Sequence, residues 1–291
     1  MKCSKCRNRA VYAKPNLCSR HLVAYVRKTA LDTIKKHKLL SKKDKLIVAV
    51  SGGKDSLTLL DILSLKYQVD ALAIDEGIAH YREHSLKDLR KFCRERKIKL
   101  KVVSFKRSFG MTLDAGVKKK KVPPCRVCGV LRRQLLNKHA RKYDIIATGH
   151  NMDDELQSVF MNLWKGNIEL LARLGPRTGV IDTKGFTPRV KPLYFIPEKM
   201  VKVYTMVKGI EVKFVECPYA REAFRHKIGV ILNKWEADEP GVKQRILNSF
   251  LKMLPDLKAK YALGQVLVCP QCGSPSAGGR CQACTFAKSL K

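Results

Sequence analysis

The 291 residues carry 59 Lys and Arg against 25 Asp and Glu, a formal net charge of +34, with 45% hydrophobic and 29% charged residues. This is a globular composition, neither disordered nor collagen-like. No apolar run approaches the ~20 residues that cross a bilayer, and MKCSKCRNRA does not read as a secretory leader, so a cytoplasmic protein is expected. A charge of this sign and size excludes a neutral metabolite as sole partner and points to a polyanion, nucleic acid foremost.

The chain opens on Cys3-x-x-Cys6, eleven intervening residues, and Cys18-x-x-His21. Four soft ligands in two knuckles close a tetrahedron around Zn²⁺, and so short a segment needs the metal to fold. Residues 1–24 therefore form a first zinc module, and 25–44 a helix reaching about Lys38 followed by the polar linker SKKDK. From Leu46 short apolar runs alternate with amphipathic stretches: strands at 46–50, 69–74, 99–105 and 143–149, and helices at 56–65, 85–96, 127–142 and 153–166. Two further strands, 190–193 and 211–216, bracket a helix at 197–209. The pattern predicts an α/β domain over 45–220 with a parallel sheet covered on both faces. Residues 221–264 read as helical, and 265–291 as a second zinc module on Cys269, Cys272, Cys281 and Cys284, two CxxC pairs eight residues apart. Four protein ligands in each set leave no open position, so both sites read as structural.

In an open α/β sheet, ligands bind at the carboxyl ends of the strands. After the first strand stands Ser51-Gly52-Gly53-Lys54-Asp55-Ser56. Its glycines allow close backbone approach to an anion, and the helix that follows points its positive end there. Lys54 adds charge, and Ser51 and Ser56 add hydroxyls. After the fourth strand, Asp153 and Asp154 open a helix, where they either cap it or serve Mg²⁺ and proton transfer. Cys125 and Cys128, just past Pro123-Pro124, share one side of a helix start near Arg126, Arg132 and Arg133, a setting that favours thiolates. Cys217 follows the 211–216 strand. Three thiolates at that rim could hold a [4Fe–4S] cluster with one iron free, cycle through persulfide and disulfide, or form a third zinc site, for which no fourth ligand stands at knuckle spacing. Cys93 lies in a basic helix and is expected simply to pack. Ten Lys or Arg and no acid lie between 118 and 142, a track suited to an RNA backbone.

SGGKDS resembles the pyrophosphate loop of the PP-loop ATP pyrophosphatases, and GHNMDDELQS (149–158) their second signature. PPCRVCGVLRR (123–133), VECPY (215–219), DEGI (75–78) and both knuckles resemble the three-cysteine tRNA 2-thiouridine synthetases, the TtuA and NcsA group, over essentially the whole chain. The resemblance implies a parallel-sheet PP-loop (adenine nucleotide α-hydrolase-like) domain flanked by two zinc modules. It also implies ATP bound by Ala49, Ser51–Ser56, Ile74, Arg132 and Gly149 with Mg²⁺, and Asp154 as a catalytic carboxylate. Backbone groups of Ala49 and Ile74 would read adenine. Cys125, Cys128 and Cys217 would be catalytic and hold a [4Fe–4S] cluster. The activity so implied adenylates the 2-oxygen of a uridine in tRNA and replaces it with sulfur. The donor would be a ubiquitin-like carrier with a terminal thiocarboxylate, and the enzyme a homodimer. Two other readings stand beside it: a tRNA 2-thiocytidine synthetase, and a non-catalytic zinc-ribbon RNA-binding protein on an ATP-binding scaffold. One departure is local: GIAHYR has His80 where the resemblance leads one to expect glycine.

Overall fold

The computed structural model describes residues 1–120, 122–180, 186–220, 224–262, 267–276 and 278–289. Its main sheet contains β1 (Leu46–Ala49), β2 (Val69–Asp75), β3 (Lys99–Ser104), β4 (Ile145–Thr148), β5 (Arg177–Thr178) and β6 (Arg189–Val190) in the order β3-β2-β1-β4-β6-β5. All neighbours are parallel except β5 and β6. The helices in chain order are α1 (Ser19–Lys36), α2 (Lys54–Ser64), α3 (Arg82–Glu95), α4 (Phe105–Phe109), α5 (Leu113–Lys120) and α6 (Pro124–Ala140). They continue with α7 (Met152–Trp164), α8 (Ile168–Ala172), α9 (Glu198–Val207), α10 (Phe224–Asp238), α11 (Val242–Lys260) and α12 (Gln282–Ser289). No helix among the described residues is long and apolar enough to cross a membrane.

Alternation along the strands sorts the core into two layers. Leu46 and Val48 of β1, with Ala71 and Ala73 of β2, face a layer completed by α1, α2, α3 and α9. Ile47, Leu72, Ile74 and Ile146 face the other, completed by α6 and the C-terminal module. Helix α1 buries Leu22, Val26, Ala30 and Ile34, a stripe with a four-residue step. Each fully buried Leu or Ile contributes roughly 1.5–3 kcal/mol, which is how a helix outside the sheet region is held to it. The two terminal modules thus dock on opposite faces. Cys93 is buried in the first layer, and its thiol is pushed up to about 11 by that burial, as a packing residue's would be.

Strand 211–216 is not formed: those residues are irregular and mostly exposed. Ile210 lies in the first layer and Cys217 in the second, so this segment crosses between faces and cannot run within the sheet. The 190–193 strand shrinks to β6. The 221–264 segment is two helices broken at Pro240-Gly241, with 221–223 and 263–264 outside the described residues. The C-terminal module is a hairpin of β7 (Leu267–Val268) and β8 (Pro275–Ser276) followed by α12, a helix that glycine and cysteine spacing does not announce.

His80 adopts φ +57, the left-handed region that glycine enters without cost. Its side chain is exposed, so backbone strain alone decides the effect of replacing it. His80→Val is expected to lower the melting temperature relative to His80→Gly, with a spread of about 1 kcal/mol. Equal melting temperatures for the two variants would show that the loop relaxes freely.

Candidate active site

The strand order reverses between β1 and β4, and a cleft of about 300 Å³ opens at their carboxyl ends. It is lined by Ala49, Ser51, Asp55, Ser56, Ile74, Arg132, Gly149 and Asp154 among others, so those sequence-derived candidates converge. Gly52, Gly53 and Lys54 belong to the same loop but do not line the cleft. A larger hollow of about 440 Å³ lies at the opposite strand ends among Lys42, Lys43, Lys45 and Lys142, where no reactive group gathers.

The loop's shape follows from two glycines. Gly52 has φ +84, and a Cβ on it would fall 2.2 Å from the Ser85 carbonyl oxygen. A Cβ on Gly149 would fall 2.9 Å from the backbone of Asp55 and Ser56. The end of β4 therefore packs directly on the first turn of α2. Inside the loop, Gly53 N–H donates to Ser51 Oγ at 3.2 Å, and Ser56 Oγ donates to Gly53 O at 2.9 Å. Arg82 is buried and latches the loop from behind. It donates to the Ser51 carbonyl and, through Nε at 2.9 Å, to the Ile74 carbonyl, and it pairs with Glu76 at 2.9 Å. A second Arg82 nitrogen also reaches the Ile74 carbonyl. The Ile74 carbonyl thus already accepts from Arg82 in this structure. Lys54 is likewise committed, to Asp55 at 3.0 Å and Glu198 at 2.6 Å. Burial disfavours its charge, but the two carboxylates outweigh burial and raise its pKa.

Asp153 and Asp154 part ways. Asp153 is buried, pairs with Lys243 and accepts from Glu198 N–H at 2.7 Å, tying α7 to α9 and α11. Asp154 completes a capping box with Asn151 and also faces the cleft. Burial pushes its carboxyl up to about 6, with Asp55 adding to the shift and Arg225, 3.2 Å away, opposing it. Asn151 bridges the two signatures by donating to Asp55 Oδ1 at 2.9 Å. His150 accepts or donates at 2.9 Å to Thr148 Oγ1. Its pKa is held low by burial and by Lys191, Arg225, Arg132 and Arg189.

Each terminal four-ligand set brings its ligand atoms within 4.8 Å of one another. The Sγ atoms of Cys6 and Cys18 are 3.7 Å apart, those of Cys272 and Cys281 3.6 Å, and His21 Nδ1 is 3.4 Å from both Cys3 and Cys18. Thiolates bound at about 2.3 Å around one tetrahedral ion stand about 3.8 Å apart, so both sets suit a single Zn²⁺. Cys125, Cys128 and Cys217 are arranged differently. Cys125 and Cys217 raise the pKa of Cys128, and Cys125 that of Cys217, so they are neighbours, yet among the described residues they form no group within 4.8 Å. That spread does not match one tetrahedral ion. Cys125 Sγ donates to Tyr219 O at 3.5 Å, and Tyr219 OH donates to Asp114 at 2.7 Å, which anchors the 217–219 turn. Arg132 and Glu76 act on both Cys128 and Cys217 and also line the cleft, so these two cysteines share a wall with it. For Cys128 the expected thiolate is not favoured by the protein alone: burial pushes its pKa up to about 12 against Arg132's opposing charge.

The profile of the ATP_bind_3 PP-loop domain matches residues 24–229. This chain belongs to the PP-loop family. It is 36% identical, over 98% of its length and 93% of the relative, to the tRNA-5-methyluridine(54) 2-sulfurtransferase of Pyrococcus horikoshii. It is 32% identical to the tRNA 2-thiolation protein NcsA of Haloferax volcanii, over 100% and 99% of the two chains. Among solved structures, the U34-tRNA thiolase NcsA of Methanococcus maripaludis with its [4Fe-4S] cluster superposes with a TM-score of 0.83 at 30% identity, covering 100% of this chain and 96% of that one. Within the PP-loop family, then, the chain sides with the tRNA 2-thiolation branch.

Sequence reasoning passed over Arg82, Arg189, Lys243 and Arg225. Each is one of 59 Lys and Arg, and nothing local distinguishes it. Asp154 and Arg225 together generate a pH test. If Asp154 works as a carboxylate, the rate falls as pH drops through about 6, and Arg225→Met moves that limb to higher pH because it removes the opposing cation. For stability the sign is reversed: with a folded pKa above the ordinary value, the contribution of Asp154 is full below about 4 and fades as pH rises through about 6. A limb unmoved by Arg225→Met would assign the titration to another group.

Proposed function

We propose that this chain is an ATP-dependent tRNA uridine 2-sulfurtransferase. The observation that carries the reading is the shared wall: Arg132 and Glu76 line the PP-loop cleft and also act electrostatically on Cys128 and Cys217. Activation and sulfur transfer can then act on one base without its leaving the site. Loop N–H groups and the positive end of α2 receive the ATP phosphates, with Mg²⁺ near Asp55 and Asp154. Ala49 and Ile74, at the strand ends lining the cleft, face the base of ATP. The uridine enters unstacked, since its 2-oxygen is shielded in a helix. That oxygen attacks the α-phosphorus and pyrophosphate leaves. Asp154, which faces the cleft, takes the N3 proton as negative charge on the oxygen is committed to phosphorus. Adenylation makes the oxygen a good leaving group, and AMP departs when sulfur attacks C2.

Cys125, Cys128 and Cys217 would hold a [4Fe–4S] cluster, which would supply a Lewis-acidic iron for sulfur. Cys3, Cys6, Cys18 and His21, and Cys269, Cys272, Cys281 and Cys284, would each hold a Zn²⁺. Tyr219 and Asp114 then orient Cys217, and α12 braces α6, the helix that carries Cys125 and Cys128. A ubiquitin-like thiocarboxylate donor, a homodimer and a cytoplasmic setting belong to the same reading, and only the last is echoed in the name of relatives, the cytoplasmic tRNA 2-thiolation protein 1 of Drosophila species. The names of the Pyrococcus and Methanococcus relatives divide between uridine 54 and uridine 34.

Nucleoside mass spectrometry with position mapping, on tRNA from cells lacking the protein, is expected to show 2-thiouridine lost at one of these positions; unchanged 2-thiouridine would overturn the reading. Cys217→Ala is expected to abolish thiolation with tRNA affinity intact, and retained thiolation would remove Cys217 from the chemistry. Elemental analysis of anaerobically purified protein is expected to give about two zinc and about four iron per chain. One zinc, or iron absent from an active preparation, would contradict the assignment.

A further inference from the structure

The mechanism leaves unused the hollow of about 440 Å³ at the amino ends of β1, β2 and β4, across the length of the sheet from the catalytic cleft. Three segments of chain meet around it. Lys42, Lys43 and Lys45 line it from the linker before β1, Gln68 from the turn before β2, and Lys142 from the turn between α6 and β4. All four lysines are exposed, and none has an ion pair among the described residues. The two carboxylates of the hollow are engaged by uncharged donors. Asp44 accepts from Ser41 N–H at 2.6 Å and from Ser41 Oγ at 3.0 Å, and Asp70 accepts from the Tyr143 hydroxyl. Lys142 Nζ stands 5.5 Å from the centre of the Tyr143 ring. Four ammonium groups gathered around one concavity repel one another, and an anion that enters relieves that cost. None of the residues that line the catalytic cleft takes part, so the two concavities are separate.

We propose that this hollow is a docking site for the sugar–phosphate backbone of the tRNA arm that extends from the nucleotide in the cleft. Three features favour an RNA backbone over a small anion. The lysines are exposed point charges on flexible stems with no buried cation among them, which suits a run of phosphates and not a tight grip on one. The distance fits a stacked arm: with β1 spanning Leu46–Ala49, hollow and cleft stand roughly 15–20 Å apart, the rise of about five stacked nucleotides. The path between them is basic: α6 carries Arg132 at the cleft and ends beside Lys142 at the hollow, with Lys138 exposed one turn earlier. Contacts of this kind position the RNA and leave base reading to the cleft. The inference rests on the thiolation reading, since it needs a tRNA substrate.

The test uses the full chain, with affinities measured across a salt series for an unmodified tRNA transcript, ATP and inorganic phosphate. It also uses hairpins that hold uridine 34 or uridine 54 in a loop closed by about three base pairs, too short to reach the hollow. Lys43→Gln/Lys142→Gln removes one charge from each side of the hollow, and both positions are exposed, so the melting temperature is expected to stay unchanged. For the full tRNA the slope of log affinity against log salt is expected to fall by about two, and binding at about 0.1 M salt to weaken roughly fiftyfold. Hairpin and ATP affinities are expected to stay as in the wild type. An equal loss of tRNA binding from Lys227→Gln/Lys234→Gln, two exposed lysines of α10, would show a diffuse field and overturn the docking site. An equal loss on the hairpins, which cannot span the sheet, would do the same. Weakened binding of ATP or phosphate with the tRNA slope unchanged would make the hollow a small-anion site and overturn the proposal. Unchanged slopes and affinities, with wild-type binding and thiolation intact, would remove the docking site alone. A wild-type chain that neither binds nor thiolates tRNA would remove the thiolation reading and this inference together.

Discussion

Everything at the catalytic rim depends on how closely β4 approaches the loop after β1. Gly149 sits where a Cβ would stand 2.9 Å from the backbone of Asp55 and Ser56. That contact joins the two halves of the sheet where their order reverses. It brings Asn151 within hydrogen-bonding reach of Asp55, and it turns Asp154 toward the same cleft as Ser51 and Ser56. Side-chain volume at residue 149 would force the signatures apart, and no rotamer change elsewhere could compensate for a backbone clash.

Charge organises the rest. Buried or half-buried ions are tolerable when paired, and the site divides accordingly. Lys54 with Glu198, Asp153 with Lys243 and Arg82 with Glu76 are satisfied internally, and they hold the loop and α7 in position. Asp154, His150 and the arginines on α6 and β6 are left facing the cleft. The scaffold ions lie behind the loop, and the groups open to ligand lie in front of it.

The cysteines obey a similar geometric division. Sulfurs 3.6–3.7 Å apart are spaced for one tetrahedral ion, while the central trio is spread more widely. The two terminal sets dock on opposite faces of the sheet. The C-terminal one buries Cys269, Cys281 and Cys284 in the layer that contains Val127, Leu131 and Leu135 of α6. Its packing therefore reaches the helix that carries Cys125 and Cys128, which gives the C-terminal module a mechanical link to that helix.

Sequence alone determined what depends on local spacing. The CxxC and CxxH knuckles, the glycine turn after an apolar strand and the alternation of strands with helices are short-range patterns, because metal geometry, turn conformation and side-chain periodicity act over a few residues. Tertiary structure decided what depends on which segments meet. Residues 211–216 have the apolar content of a strand but must cross from one face of the sheet to the other, so Cys217 reaches its neighbours from an irregular segment. Asp153 and Asp154 are identical and adjacent, and only the partners brought by α10 and α11 separate a structural ion from one facing the cleft. Arg82, Arg189 and Arg225 are indistinguishable in a chain with 59 basic residues until the fold surrounds each with its own neighbours. Electrostatic roles are properties of three-dimensional surroundings, and no local pattern encodes them.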